Sequence, residues 1–439
     1  MNKYAIPAIA SLVILQVYIP VAGSLHITLW FIFLLLFPIY TLVAGLPSRA
    51  AIRNVVFISY AVLCAVFSIA SIFSPRPGMG VRMIVFLGFA GLAFLLGHRL
   101  GRKGRGPYLL RWLIIAAVPF GILNVLFVIS PALEAAFLTS PIARILLEPD
   151  SLHNLMIPNL GNNVLDLGKA GTLFINANVA SIFFGMLLII SVVSWRQEKR
   201  LGSLGAAMIF ALAVLATGSR AGITALIGTA VVSAGVYIRR RGIRRSIVPI
   251  TLALLVSSVL LFAPLSRFAI GRIVSAREQL DARWLLWYHG LTLLRDHPLV
   301  GVGFGGWEQS YPGFAATYGL EPTLPPHNAY LIAWLWGGLA GFLALMALIV
   351  GSAVGFWKKT RDRAVLHVGL GGCAILMWVG IQVFFTNFAI IETRIGATLF
   401  LVLGVLMGWI TRYRSGESVS SRGARAVQPF RDTGTVPVA

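Results

Sequence analysis

Long, continuous apolar runs are the feature that most restricts how this chain folds. The sequence has 439 residues, 58% of them hydrophobic and only 11% charged, whereas a soluble domain has about 25% charged residues. So much apolar surface cannot be hidden inside a soluble core, and the runs lack the alternation of transmembrane β-strands. The chain is therefore predicted to be an all-α polytopic membrane protein.

Twelve membrane-spanning helices are predicted, most of them close to the ~20 residues that cross a bilayer. The first run is interpreted as a retained span, because no small-residue cleavage site follows it. Residues 1–413 are predicted to form one transmembrane domain, and the Ser-, Gly- and Arg-rich residues 414–439 a disordered tail. The predicted spans are residues 5–22, 27–45, 54–73, 82–97, 109–130, 173–194, 203–217, 221–237, 246–264, 329–354, 365–388 and 396–411.

Basic residues indicate the face on which each loop lies. Arginine and lysine gather in alternate loops, which the positive-inside rule assigns to the cytoplasm together with both termini. This pattern accounts for the net charge of +22 without nucleic acid as a partner. The opposite face carries two long loops, about residues 131–172 and 265–328, and loops of this length are usually functional. The basic clusters begin at Arg49, Arg99, Arg196, Arg239, Lys358 and Arg412.

Two segments of these long loops have a predicted local structure. Residues 131–147 are predicted to form a short interfacial helix. The glycine-rich residues 301–306 are predicted to form a turn. A phosphate-binding loop is the poorer interpretation, because this segment lacks the Gly-Lys-Ser/Thr ending that such loops carry.

Acidic residues and metal ligands narrow the class of protein further. None of the fourteen Asp and Glu residues falls in the middle of a predicted span, which argues against an ion-coupled carrier. No internal repeat of the kind found in carriers is visible. The seven histidines are scattered, and Cys64 and Cys373 both fall inside apolar runs. No metal site, disulfide or cofactor is therefore predicted.

His327 is the candidate for acid–base chemistry. It follows Pro325 and Pro326 and precedes Asn328, at the outer start of an apolar run. A helix N-terminus disfavours the imidazolium form and keeps the ring neutral, and a neutral imidazole acts as a general base. The simpler interpretation is a histidine that only caps a helix, but the neighbouring motifs outweigh it.

Arg220 is the first candidate for binding an anion. It lies in the short Thr217–Gly222 hairpin between two spans, on the face that the charge bias leaves poor in basic residues. Gly218 and Gly222 permit close approach of the backbone, and Ser219 adds a hydroxyl group. The alternative is an arginine that extends to lipid headgroups.

Arg283 is the second candidate for binding an anion. Its competitors for this role are three other arginines of the same loop, Arg272, Arg277 and Arg295. The aromatic residues that follow it have helical spacing and are predicted to form one face at the membrane interface. They are Trp284, Trp287 and Tyr288.

Four features in order resemble the O-antigen ligase/polymerase superfamily of bacterial inner membranes, most closely the O-antigen ligases. The first is the Thr-Gly-Ser-Arg-Ala-Gly hairpin, and the second is Arg283-Trp-Leu-Leu-Trp-Tyr-His-Gly-Leu with His297-Pro-Leu-Val-Gly-Val-Gly-Phe-Gly. The third is the large outer loop. The fourth is His327-Asn328, nine residues and Gly338-Leu-Ala-Gly341, which is similar to the ligase signature His-(Asn/Ser/Gln)-x9-Gly-xx-Gly. The resemblance covers about residues 170–400.

This resemblance implies a metal-independent, inverting glycosyltransferase that acts at the periplasmic face of the inner membrane. The implied donor is a glycan on undecaprenyl diphosphate, and the implied acceptor is a sugar hydroxyl of lipid A-core. The family's essential histidine falls on His327 and its arginines on Arg220 and Arg283. Further candidate site residues are Ser219, Asn328, Arg272, Arg277 and Glu392.

Other functions remain open at this point. A polymerase of the same superfamily joins one lipid-linked repeat to another, and a related enzyme glycosylates proteins. Both share the donor and the site with a ligase, although the nine-residue spacing before Gly338 favours the ligase. A polysaccharide or lipid transporter belongs to a different class and predicts carboxylates within the membrane or internal repeats, neither of which is seen.

Overall fold

The computed structural model is a bundle of helices, and it describes most of the chain. The described residues are 4–15, 17–22, 25–44, 48–149, 152, 169–241, 283–387 and 393–414. Within them, seven helices are long and apolar enough to cross a membrane, and three shorter helices are also apolar. The predicted fold class, an all-α polytopic membrane protein, is confirmed.

The elements are numbered in chain order. The strands are β1 (Tyr18–Ala22) and β2 (Leu25–Thr28). The helices are α1 (Ala5–Leu15), α2 (Leu29–Ala44), α3 (Arg49–Ile52), α4 (Val55–Ile72), α5 (Pro77–Arg102), α6 (Gly106–Ile129), α7 (Pro131–Leu138), α8 (Pro141–Leu146), α9 (Ala177–Glu198), α10 (Leu201–Ala216), α11 (Arg220–Arg241), α12 (283–296), α13 (Gly306–Tyr318), α14 (Ala329–Met346), α15 (Ser352–Lys359), α16 (Leu366–Phe384) and α17 (Thr393–Arg414).

The first predicted span, residues 5–22, is wrong in its second half. Helix α1 ends at Leu15, and the chain then forms β1, which pairs antiparallel with β2. Tyr18 and Ile19 favour a strand, and Pro20 cannot continue a helix without the loss of a backbone hydrogen bond. A small hairpin therefore leads into α2.

Other boundaries also differ from the prediction. Helix α5 has 26 residues, so the predicted span 82–97 was too short. The single helix predicted at 131–147 is two helices, because Pro141 begins α8 and the Ser140 hydroxyl caps it, 3.2 Å from the Ala143 amide nitrogen. The predicted span 246–264 lies outside the described residues, as do residues 415–439 of the predicted tail.

Glycines form a close seam between α5 and α17. A methyl group added at Gly97 would overlap the carbonyl oxygen of Leu401, and one at Gly101 would overlap that of Val405. The contacts advance together along both helices, so α5 and α17 run in the same direction. Small residues four apart permit this approach of two backbones in membrane proteins. This seam lies at the centre of the bundle, since most of α17 is buried.

The predicted span at residues 329–354 is not one regular helix. Gly338 has φ 61° and ψ −161°, a conformation that is essentially restricted to glycine. A methyl group at Gly341 would overlap the carbonyl oxygen of Ala333, although residues eight apart in a straight helix are about 12 Å apart. The chain therefore folds back at Gly338. Residues 329–337 form a separate half-helix, and the crossing continues through a π-helical turn, Ala347–Gly351, to α15.

Candidate functional site

The glycine-rich turn at residues 301–306 fills the break in α14. Two amide groups of this turn donate to the Leu335 carbonyl, at 2.7 and 3.0 Å, and the Leu339 amide donates to the Leu299 carbonyl at 3.2 Å. These bonds satisfy backbone groups that the break leaves without an intrahelical partner. The predicted turn is confirmed, with Gly301, Gly303 and Gly305 all at positive φ.

Side chains from three elements hold the chain at His327. Trp287 of α12 donates from Nε1 to the Pro326 carbonyl at 3.1 Å, and the His327 amide donates to Asn387 Oδ1 at 3.2 Å. Trp307 of α13 donates to the carbonyl three residues before His327, at 3.0 Å. These bonds hold the residues that precede the half-helix against α12, α13 and the segment after α16.

The backbone of His327 is strained, and a regular helix begins directly after it. His327 has φ 53°, a left-handed conformation that costs a residue with a side chain about 1–2 kcal/mol. Asn328 then caps the half-helix, because its Oδ1 accepts from the amides of Tyr330 and Leu331 at 3.0 and 3.1 Å. Strain of this kind is frequently found at functional sites.

Arg220 lies close enough to Arg283, and Arg283 close enough to His327, for the charge of the first to shift the pKa of the second in each pair. Burial, and then the charge of Arg283, lower the pKa of His327 to about 4. Burial, and then the charge of Arg220, lower the pKa of Arg283. Arg220 is exposed, whereas Arg283 and His327 are half-buried. The structure thus brings together three residues that are more than 40 positions apart in sequence.

The hairpin fixes Arg220 at the start of α11. Ser219 caps this helix through its hydroxyl, which accepts from the Gly222 amide at 3.1 Å and donates to Asn178 Oδ1 of α9 at 2.7 Å. Gly218 has φ 60°, and Gly222 packs against Ser181, where an added methyl group would lie 3.0 Å from its Cβ. The predicted close approach of the backbone is confirmed at Gly222.

A chain of polar groups connects this hairpin with α16. Gln382 Nε2 donates to Ser181 Oγ at 2.8 Å, and Ser181 Oγ donates to the Asn178 carbonyl at 2.8 Å. Asn178 in turn accepts from Ser219. All of the hydroxyl and amide groups in this chain lie at or near helix ends on the face that carries Arg220, which we call the site face. Asn387, which binds the His327 amide, follows α16 on this same face.

Helix N-termini add positive potential at the site face. Helices α9, α11 and the half-helix begin there, capped by Asn176, Ser219 and Asn328 respectively. The N-terminus of a helix carries about half a positive charge and favours a bound anion. Together with Arg220 and Arg283, these ends form a cationic cluster at the site face.

The other residues that the sequence suggested for the site or its aromatic face differ in where they lie. Arg272, Arg277 and Glu392 lie outside the described residues, so they stay predictions. Arg295, a competitor for the role of Arg283, lies at the far end of α12, where its Nε is 3.4 Å from Asp296 Oδ1. Trp284 and Tyr288 are exposed, as expected of an interfacial aromatic face. Trp287 departs from that face, because it is half-buried and binds Pro326.

Four polar residues of the site were not identified from the sequence. They are Asn178, Ser181, Gln382 and Asn387. The only feature of the sequence that could have identified them is their position within or beside an apolar run. An amide or hydroxyl side chain there needs a hydrogen-bond partner when it is buried. The sequence does not show which runs are neighbours, so it could not connect α9, α11 and α16. Among the described residues, no group of three His, Cys, Asp or Glu side chains is arranged to hold a metal ion.

The fold and the site define a class of protein: a polytopic helical membrane protein with a cationic cluster at the helix ends of one face. Comparison with known families specifies it further. A family model described as O-Antigen ligase matches residues 204–346, which include Arg220, Arg283, His327 and the break at Gly338. The resemblance to the O-antigen ligase/polymerase superfamily is confirmed, over a shorter range than the expected 170–400. No curated protein sequence matches the chain.

Proposed function

We propose that this protein is a glycosyltransferase that moves a polysaccharide from undecaprenyl diphosphate to a sugar hydroxyl of lipid A-core. The reaction takes place at the periplasmic face of the bacterial inner membrane, and both termini lie in the cytoplasm. The observation that carries the proposal is the convergence of Arg220, Arg283 and His327 within a region matched by the O-Antigen ligase family model.

In the proposed reaction, His327 is the general base. Its neutral ring accepts the proton of the acceptor hydroxyl while the hydroxyl oxygen bonds to the anomeric carbon of the donor sugar. The bond between that carbon and the diphosphate oxygen breaks, and the diphosphate leaves with the electron pair. Attack from the side opposite the leaving group inverts the anomeric configuration. General-base assistance is worth about 10²–10⁴-fold in rate.

The arginines stabilise the charge that develops on the leaving group. A guanidinium group is always charged and its planar fork matches phosphate oxygens, so Arg220 and Arg283 supply this stabilisation without a divalent metal ion. The bound diphosphate also offsets the positive charge of Arg283 that lowers the pKa of His327. Donor binding therefore makes the imidazole a stronger base at the moment when it is needed.

The test uses purified protein with a lipid-linked donor and lipid A-core acceptor. Transfer is expected to continue in EDTA and to be lost in Arg220→Gln and Arg283→Gln. A matched control is Arg295→Gln, at the other end of α12, which is expected to retain activity. Loss of transfer in EDTA with recovery on addition of magnesium or manganese contradicts the arginine mechanism.

A polymerase of the same superfamily is the second candidate, since the family match covers ligase- and polymerase-type functions alike. A deletion strain separates the two. Accumulation of lipid-linked polymer beside unmodified core indicates a ligase, whereas loss of polymer with single repeats remaining indicates a polymerase. The nine residues between Asn328 and Gly338 support the ligase.

A further inference from the structure

A carboxyl group on α7 is buried and takes no part in the proposed reaction. Glu134 is only 4% exposed, although Leu133 and Ala135 on either side of it are exposed. Its carboxyl group accepts a hydrogen bond from the backbone amide of Gly171, and burial raises its pKa to about 7 against the smaller, opposite effect of that bond. A buried carboxyl group is costly unless it is hydrogen-bonded, so the contact with Gly171 is the reason that this side chain can lie inside the protein.

Gly171 begins a tight and strained turn. Thr172 and Ile175 have φ values of 42° and 59°, and β-branched residues rarely adopt such angles. A methyl group added at Gly171 would overlap the carbonyl oxygen of Ile175. The hydroxyl of Thr172 is buried and has no hydrogen-bond partner in the described structure, so it does not stabilise the turn. Contacts from outside the turn must therefore hold this conformation.

Helices α7 and α8 supply these outside contacts. Glu134 of α7 binds the amide at the start of the turn. At the other end of the turn, the side chain of Ile175 packs in a small apolar cluster formed by α7, α8 and the residue that ends α8. The members of this cluster are Leu138, Ala143 and Leu147. The two helices thus hold both ends of the turn, one by a hydrogen bond and the other by apolar burial.

The turn leads directly into α9, which contacts the hairpin of Arg220. Asn176 caps α9, and its Oδ1 accepts from the Asn178 amide at 2.9 Å. The side chain of Asn178 then accepts from the Ser219 hydroxyl at 2.7 Å, one residue before Arg220. The position of the turn therefore sets the position of Asn178, and Asn178 holds the hairpin.

We propose that Glu134 is a positioning residue for Arg220. This inference rests on the proposed function, in which Arg220 binds the diphosphate of the donor. Glu134 fixes the turn at Gly171, and the turn fixes the start of α9. Asn178 on that first helical turn then holds the hairpin through Ser219. The role requires an acceptor oxygen at the right reach and not a negative charge, so both protonation states of the carboxyl group fulfil it.

The first test separates reach from charge with two mild substitutions. Glu134→Gln keeps the length of the side chain and an acceptor oxygen, whereas Glu134→Asp keeps the charge and is one methylene shorter. The Kd of the purified protein for undecaprenyl diphosphate should stay within about twofold of wild type in Glu134→Gln and rise about two- to tenfold in Glu134→Asp, as expected for the loss of one hydrogen bond. An unchanged Kd in Glu134→Asp, or an equal rise in both variants, overturns the inference.

The matched control is Thr139→Ala, which removes an exposed hydroxyl that donates to the Ala135 carbonyl at the end of α7. This variant changes the same helix without a contact to the turn, so it should leave the Kd for undecaprenyl diphosphate unchanged. A rise equal to that of Glu134→Asp shows that any change in α7 disturbs binding, and it overturns the specific role of Glu134.

A second test determines whether the effect passes through Arg220. In an Arg220→Gln background, Glu134→Asp is expected to change the Kd by less than about twofold, because the side chain that Glu134 positions is absent. The same rise in both backgrounds indicates general destabilisation and overturns the inference. A wild-type protein that neither binds undecaprenyl diphosphate nor transfers glycan overturns the proposed function itself. That result differs from wild-type binding that Glu134→Asp leaves unchanged, which overturns only the inference.

A third measurement uses wild-type protein, so it does not depend on the folding of a variant. Coupling between two sites is reciprocal, so bound undecaprenyl diphosphate is expected to stabilise the turn in return. Amide hydrogen exchange in residues 170–176 should slow by about two- to tenfold when the lipid is added, the same factor by which the turn favours binding. Exchange in these residues that the lipid leaves unchanged overturns the inference.

Discussion

Glycine pairs shape two regions of this protein in opposite ways. In the seam between α5 and α17, Gly97 and Gly101 remain helical, and the missing side chain lets two intact helices touch. In α14, Gly338 takes a conformation that ends the helix, and Gly341 lets the chain fold back on Ala333. The seam joins two spans, whereas the break produces a short half-helix whose capped start lies at the site.

From this difference we expect the seam to contribute mainly to stability and the break mainly to function. The seam is buried at the centre of the bundle and contains backbone contacts between regular helices, so its main contribution is to the folded state. The break carries a strained residue, His327, and exposes backbone groups that the turn at 301–306 must satisfy. Strained positions persist only when surrounding contacts fix them, and here those contacts come from Trp287, Trp307 and Asn387.

The largest effect is expected from His327→Ala. Transfer should fall by about 10²–10⁴-fold, the usual contribution of a general base, while the melting temperature changes little because the left-handed backbone strain is not increased by alanine. The control is His297→Ala, an exposed histidine of the same outer region. Turnover of His327→Ala near the wild-type rate would show that the break does not position a base.

Replacement of single glycines tests the comparison directly. Gly338→Ala is expected to lower turnover by at least about tenfold and to destabilise the protein by ~1–3 kcal/mol, because alanine is strained at this φ and ψ. Gly404→Ala, in the α17 side of the seam, would overlap the Phe94 carbonyl and should lower the melting temperature without a change in turnover per folded molecule.

Turnover and thermal unfolding of the two variants, measured on the same detergent-solubilised preparations, decide between these outcomes. Equal loss of turnover per folded molecule in Gly338→Ala and Gly404→Ala would remove the distinction between a functional break and a structural seam.

A smaller effect is expected from Gln382→Met, which keeps the volume of the side chain and removes its hydrogen bond to Ser181. A hydrogen bond is worth about 0.5–1.5 kcal/mol, which corresponds to roughly two- to tenfold in kcat/KM if it positions the hairpin. Stability should be little affected, because Gln382 Oε1 is buried without a hydrogen-bond partner in the described structure. Ser191→Ala, which removes a bond to Leu187 within α9, is the control and should leave activity unchanged.

The smallest effect is the change in kcat/KM that we expect when the pH is lowered. The pKa of His327 is lowered to about 4, so the imidazole stays in its neutral, basic form until the pH approaches that value. Since kcat/KM reports the ionisation of the free enzyme, it should change by less than about twofold between pH 8 and 5.5. A histidine with the usual pKa near 6.5 would lose about tenfold over the same range. Donor binding measured at each pH separates this effect from ionisation of the substrate.

The bundle and three candidate site residues could be predicted from the sequence for different reasons. Apolar runs report membrane spans directly, because each helix must match the thickness of the bilayer. Arg220, Arg283 and His327 were identified because they depart from that pattern and match motifs of a known superfamily. The β1–β2 hairpin was missed, since a run of apolar residues has the same composition in a strand and in a membrane helix.

The break at Gly338 is a structural feature that the sequence motif did not predict. The spacing of nine residues before Gly338 was visible in the sequence, but its cause was not. Nine residues are the length of the half-helix, so the motif records a helix with a capped start at Asn328 and an end that only glycine permits. The polar chain through Gln382 and Ser181 left no comparable pattern, because its members lie about 200 positions apart and meet only after the helices pack.

The position of α17 has a consequence for how the protein is made. This helix is the last one in the described chain, yet 89% of its apolar window is buried, compared with 33% for α4. A ribosome therefore delivers the central helix after the helices that surround it have entered the membrane. Until then, the glycine surface of α5 has no partner. Chains that end prematurely before α17 should present that surface to the proteases that survey unassembled membrane proteins.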